Sequence, residues 1–218
     1  MGNRAVITTK EGFENNSLGI YLHWNGGRDS VEAFLKYCEL KGYRSPSEDN
    51  YGWARLCQVI GNFFGGSLSV GIDVVSNLDC NNGDNGTYII NGWKIVDRKY
   101  FEGRTEQTNY DMDDMLMEID IAMPESEQIG EYLKAKEIPT SEVKVGDTVL
   151  IMDYNGKVLK CHVMGFGKDE FRNGMNVNGV PYVDLYGDYF SCDKNINNYI
   201  CTKTVKVVEA DTGDCVKE

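Results

Sequence analysis

The sequence predicts an α+β protein: a mostly antiparallel sheet with two packed helices, an acidic helical connector, and then a small SH3-like β-barrel. Three observations predict it. Two stretches with apolar residues at helical spacing, 29–40 and 51–64, lie among short β-rich runs in the first hundred residues. Three Asn-Gly pairs (Asn91-Gly92, Asn155-Gly156 and Asn178-Gly179) separate apolar runs, the strongest local hairpin signal because both residues accept positive φ. Between Glu102 and Glu142 twelve acids face three bases, so most of the formal net charge of −12 sits in the middle of the chain.

The elements follow in order. Arg4–Thr9 and Gly19–Trp24 have strand character, and Asn25-Gly26-Gly27 interrupts it. A helix over Asp29–Leu40 follows, with Asp29 as N-cap, Glu32 completing a capping box, and Val31, Phe34, Leu35 and Cys38 as its apolar stripe. Gly42 ends it. A second helix, Tyr51–Phe64, presents Trp53, Leu56, Cys57, Ile60, Phe63 and Phe64, and Gly65-Gly66 stops it. Ser67–Val75 is a strand, Asp79–Gly86 a polar loop, and Thr87–Ile90 with Trp93–Val96 a hairpin around Asn91-Gly92.

The acidic middle contains an amphipathic helix over 109–123. Thr108 is its expected cap, Met112, Met115, Leu116, Ile119 and Met123 line one face, and Pro124 ends it. A short helix within 125–138 turns Ile129, Tyr132 and Leu133 inward. After Pro139 strands dominate: Thr148–Asp153, Val158–Met164, Val180–Leu185, Tyr199–Thr202 and Thr204–Val208. The expected division is an α+β domain at 1–123, a linker at 124–141, the small β-barrel at 142–209 and a tail at 210–218.

Composition removes several classes. No apolar run approaches the roughly 20 residues that span a bilayer, and the first ten residues lack the apolar centre of a signal peptide. Seven cysteines (Cys38, Cys57, Cys80, Cys161, Cys192, Cys201, Cys215) are scattered and never spaced C-x-x-C. They are expected as reduced thiols of a cytoplasmic protein, with no metal and no cofactor. The acidic balance opposes direct nucleic-acid binding. The aromatics Tyr154, Phe166, Tyr182, Tyr186, Tyr189 and Phe190 would suit an RNA-binding barrel only with a basic face, and that region is acidic.

Two places carry candidate chemistry. The first is the strand-to-helix turn His23-Trp24-Asn25-Gly26-Gly27-Arg28-Asp29. Its glycines would let backbone approach a ligand, the helix N-terminus offers free N–H groups, and Arg28 would clamp an anion, giving a ligand site of His23, Asn25, Gly26, Gly27 and Arg28. The same pattern fits a tight turn with a capped helix, and it matches neither phosphate-binding glycine motif. The second is the acidic helix, whose Asp111, Asp113, Asp114, Glu118 and Asp120 would meet a basic partner while its methionines cover the sheet. The Asp79–Gly86 loop fails the calcium-loop spacing, since its fifth position is Gly83 and its twelfth is Ile90. The only histidines, His23 and His162, fall in different predicted domains, and no G-x-S-x-G occurs, which weighs against nucleophilic catalysis.

The segments 2–8, 20–31 (IYLHWNGGRDSV) and 58–66 (QVIGNFFGG), with Asn82-Gly83-Asp84-Asn85-Gly86, resemble an uncharacterised family of small proteins carried by phages and other mobile elements of bacteria. The resemblance spans about residues 1–101. It implies an accessory gene of a mobile element and brings no activity, fold or site. The expected function is a non-enzymatic interaction protein, binding a protein partner with a basic surface, such as a nucleic-acid-handling host protein. The alternative is a phosphate- or nucleotide-binding enzyme or sensor built on the 23–29 loop.

Overall fold

The computed structural model describes residues 2–153, 156–172, 174–184 and 199–208. Expectations for Tyr154, Asn155, Leu185, Tyr186, Tyr189, Phe190, Cys192, Cys215 and the tail from Ala210 fall outside them. The chain forms two compact units, residues 1–130 with 154–156, and residues 131–153 with 157–218.

The first unit contains β1 (Ala5–Thr9), α1 (Lys10–Glu14), β2 (Leu18–Leu22), α2 (Arg28–Leu40), α3 (Asn50–Phe63), β3 (Val70–Val74), β4 (Thr87–Asn91), β5 (Lys94–Lys99) and α4 (Met112–Ala122). Its five strands form one sheet in the order β3-β2-β1-β4-β5. β1 and β4 run parallel, and every other pairing is antiparallel. Central β1 is buried along its whole length, which is why Ala5-Val6-Ile7 is a continuous apolar run rather than an alternating one.

The helices assemble through their apolar stripes. Phe34 of α2 meets Phe63 of α3 edge to face at 5.2 Å, and Asn62 Nδ2 donates to Met123 Sδ beside α4. Phe34 is fully buried, a contribution of about 1.5–3 kcal/mol relative to exposure. The caps differ from expectation. Gly27 is the N-cap of α2, with Asp29 already inside the first turn, and Glu32 pairs with Arg28 at 2.8 Å instead of closing a capping box. α4 is capped by Asp111, not Thr108: the Asp111 carboxylate accepts the N–H groups of Asp113 (2.9 Å) and Asp114 (3.3 Å).

The β4–β5 turn is also shifted. Asn91 pairs with Lys94, so the loop is Gly92-Trp93, with only Gly92 at positive φ. That is the II′ pattern, whose twist suits a hairpin equally well. Trp93 Nε1 donates to the Tyr43 carbonyl at 2.7 Å, tying this turn to the α2–α3 loop.

The second unit follows α5 (Gly130–Lys134) with β6 (Lys136–Pro139), β7 (Thr148–Met152), β8 (Val158–Phe166), β9 (Phe171–Arg172), β10 (Met175–Asn176), β11 (Pro181–Asp184) and β12 (Thr204–Val207). Five strands form an antiparallel sheet ordered β11-β8-β7-β12-β6. Val143, Val149, Cys161, Val163, Val183, Ile200 and Val205 make its core. Among the described residues the sheet does not close into a barrel: β11 and β6 are its two ends. β6 falls in the segment expected as a linker, yet it pairs with β12. Asn178-Gly179 does turn the chain, with Val180 N–H donating to Val177 O. The strands it joins belong to different sheets, because β10 pairs with β9 and β11 with β8.

Candidate functional site

The acidic helix is positioned by two aspartates, Asp29 of α2 and its own Asp120. At its start, Asp29 of α2 accepts the backbone N–H groups of Asn109 and Tyr110. At its end, Asp120 accepts the Tyr37 hydroxyl at 2.7 Å and the Ile129 N–H at 2.8 Å. Tyr37 lies near the end of α2, so α4 runs alongside α2 in the same direction. Gln128 Nε2 donates to the carbonyls of Ile121 and Met123, satisfying acceptors that the helix end leaves free.

Helical geometry then sorts the side chains. Met115, Leu116, Ile119 and Met123 are buried. Asp111, Asp113, Asp114 and Glu118 are exposed. Asp114, Glu118 and Ile121 follow at intervals of four and three residues, so they share one outward face. Ile121 is 69 % exposed among them.

Asp120 departs from the expected partner-binding set. It is only 2 % exposed and its hydrogen bonds are internal. It sits at the border of the apolar arc, one residue past Ile119, where Tyr37 supplies a donor that makes its burial tolerable. Asp111 stays on the surface but spends its carboxylate on the cap.

The rest of the acidic stretch divides in the same way. Glu106 accepts Arg28 Nε at 2.6 Å and lies 3.9 Å from Arg98 Nη1. Glu127 takes the ammonium of buried Lys41, Glu131 pairs with Lys160, and Glu102 with Arg104. Among the described residues, four of the twelve acids are therefore paired with the chain's own cations. Among the described residues no lysine or arginine pairs with Asp113, Asp114, Glu118 or Glu125. Asp113 and Asp114 also complement the positive end of the α4 dipole, a structural reason for two of these charges. Glu118, in the middle of the helix, has no such reason.

The 23–29 loop serves the protein's own backbone. A Cβ on Gly26 would come within 2.6 Å of the Arg4 carbonyl carbon and the Ala5 nitrogen, and one on Gly27 within 2.5 Å of the Gln107 oxygen. Gly26 N–H donates to Asn3 O, and Arg28 N–H to Gln107 O. Asp29 Oδ1 takes the Ser30 N–H. In the first turn of α2 the N–H groups of Arg28 and Ser30 thus already have acceptors. Arg28 is held by Glu106 and Glu32; the Glu106 hydrogen bond raises its pKa against the opposing effect of burial. His23 and Trp24 stand outside this packing, exposed and edge to face at 5.0 Å, with Asn25 at positive φ between them and the glycines. The structure brings Gly26, Gly27 and Arg28 together and leaves His23 apart from them.

Sequence reading missed the buried polar group beneath this loop. Arg28 and Arg98 each lie over the Tyr88 ring, at 5.8 and 5.9 Å from its centroid. Burial pushes the Tyr88 hydroxyl above its ordinary pKa, and Glu106 adds to the effect. The Tyr88 hydroxyl has no hydrogen-bond partner among the described residues. The 79–86 loop is closed internally: Asn82 Oδ1 accepts the N–H groups of Asp84 and Gly86, and Asp84 pairs with Arg4 at 2.7 Å. Among the described residues no group of three or more His, Cys, Asp or Glu side chains is arranged to hold a metal, and no helix is long and apolar enough to cross a membrane. Comparison of the chain with protein-family models, with curated proteins and with solved structures finds no match.

Proposed function

We propose that this chain is a non-enzymatic interaction protein whose α4 face binds a protein partner with a basic surface. One observation carries the reading. Asp114, Glu118 and exposed Ile121 share an outward face, next to Asp113, and no described cation pairs with these acids. An apolar contact ringed by unpaired carboxylates suits a partner that offers lysine or arginine around an apolar hollow. The same field repels nucleic acid, so the partner is a protein.

Taken with the resemblance to proteins of mobile elements, the partner class is a host nucleic-acid-handling protein in the cytoplasm, with its basic groove blocked by α4. The second unit is read as an SH3-like barrel on the strength of its short strands and tight turns. The test compares capture from bacterial lysate, at low and high salt, by the wild type and by an Asp113→Asn/Asp114→Asn/Glu118→Gln variant. A protein captured by the wild type at low salt and lost in both the variant and high salt supports the reading. Equal capture by both chains contradicts it.

A further inference from the structure

We propose that Asp73 and Asp97 close the two edges of the first unit's sheet against strand addition by a second copy of the chain. β3 and β5 are the edge strands. The inner strands β1 (AVITT), β2 (LGIYL) and β4 (TYIIN) carry no charged residue, whereas β3 carries Asp73 as its single charge and β5 carries Asp97 together with Lys94, Arg98 and Lys99. In both places that aspartate takes the N–H of the next residue at 2.7 Å: Asp73 Oδ1 from Val74, and Asp97 Oδ1 from Arg98. Asn77 Nδ2 steadies Asp73 through both oxygens at 3.2 Å, and Lys99 Nζ holds Asp97 Oδ2 at 2.6 Å.

The β3 edge is otherwise well suited to its own copy. His23 N–H donates to Ser69 O and Val75 N–H to Ser17 O. Antiparallel alternation then turns the N–H and C=O groups of Gly71 and Asp73 toward β2, and those of Val70, Ile72 and Val74 outward. A two-fold antiparallel pairing centred on Ile72 would place Ile72 against its copy and Val70 against Val74. Asp73 would face Gly71, so no like charges would oppose each other. Ile72 is 52 % exposed and ready to pack in such a dimer. What stands against it is the Val74 N–H, already given to Asp73 in each copy. Docking would have to break that bond twice and desolvate both carboxylates.

The experiment measures mass by light scattering across a concentration series for the wild type, Asp73→Val, Asp73→Asn, Asp73→Val/Ile72→Pro and Asp73→Val/Asp97→Val. The wild type is expected at the mass of one chain. Asp73→Val is expected to reach twice that mass as concentration rises, and Asp73→Asn, which keeps an acceptor oxygen, to remain single. Ile72→Pro removes only an outward N–H, so it returns Asp73→Val to the single mass. Opening both edges permits open-ended association, so the double valine variant exceeds two chains. A folded Asp73→Val that stays at one chain throughout would overturn the proposal. So would a wild type at two chains, or association of Asp73→Val that Ile72→Pro leaves intact.

Discussion

Replacing Asp120 with alanine tests how α4 is held. Asp120 is 2 % exposed and Tyr37 is fully buried, so the substitution leaves the Tyr37 hydroxyl and the Ile129 N–H without an acceptor inside the protein. Each orphaned donor costs about 1–3 kcal/mol. The variant no longer buries an acidic group, which offsets part of that loss. The expected net destabilisation of the first unit is about 2–4 kcal/mol. Tyr37→Phe removes one donor and leaves the other, for a loss of about 1–3 kcal/mol. The two residues touch, so the double variant is expected to cost at least about 1 kcal/mol less than the sum of the singles. Urea unfolding followed by tryptophan emission reads this unit alone, because Trp24, Trp53 and Trp93 all belong to it. A loss below about 0.5 kcal/mol in Asp120→Ala, or additive single effects, would show that Asp120 does not hold Tyr37 and Ile129 in this way.

Three further outcomes follow from the same unit. Gly26→Ala drives a methyl group to 2.6 Å from the Arg4 and Ala5 backbone, which cannot rotate away; a loss of about 3 kcal/mol or more in urea is expected, and a loss under about 1 kcal/mol would show that the loop can shift. Tyr88→Phe deletes a buried hydroxyl that has no partner among the described residues while keeping the ring that Arg28 and Arg98 lie over. Its stability should be unchanged or up to about 1 kcal/mol higher, and a clear loss would reveal a partner for the hydroxyl. Burial raises the pKa of Tyr37, Tyr88 and Tyr43, the last to about 12. A phenol raised in the folded state contributes fully below its unfolded value of 10.0 and loses that contribution as pH rises beyond it. The urea midpoint should therefore hold up to about pH 9.5 and fall between about pH 10 and 12; a flat profile there would contradict the tyrosine burial.

What the sequence revealed was what is encoded locally. α2, α3 and α4 were legible because Val31, Phe34, Leu35 and Cys38, and their counterparts, recur at the period of a helix. α1 was not, since five residues capped by Thr9 show no apolar stripe. The parallel pairing of β1 with β4 joins Val6 to Thr87, and nothing local encodes a partner so distant in sequence. The Asn91-Gly92 signal located a turn but missed its register by one residue, because Gly92 alone satisfies the turn actually formed. Charge was the least legible property. Arg28 finds Glu106 and Tyr37 finds Asp120 only after folding, so a count of acids overstated the free carboxylates. Asp120 shows why: its position at the edge of the apolar arc looks the same on a helical projection whether a buried donor awaits it or not.

The most direct test of the account is the salt dependence of affinity for the captured partner, measured for the wild type and for the Asp113→Asn/Asp114→Asn/Glu118→Gln variant. If α4 binds through these carboxylates, wild-type affinity falls steeply as salt rises, and the variant binds more weakly at low salt with a shallower dependence. Identical affinities and slopes for the two proteins would contradict it.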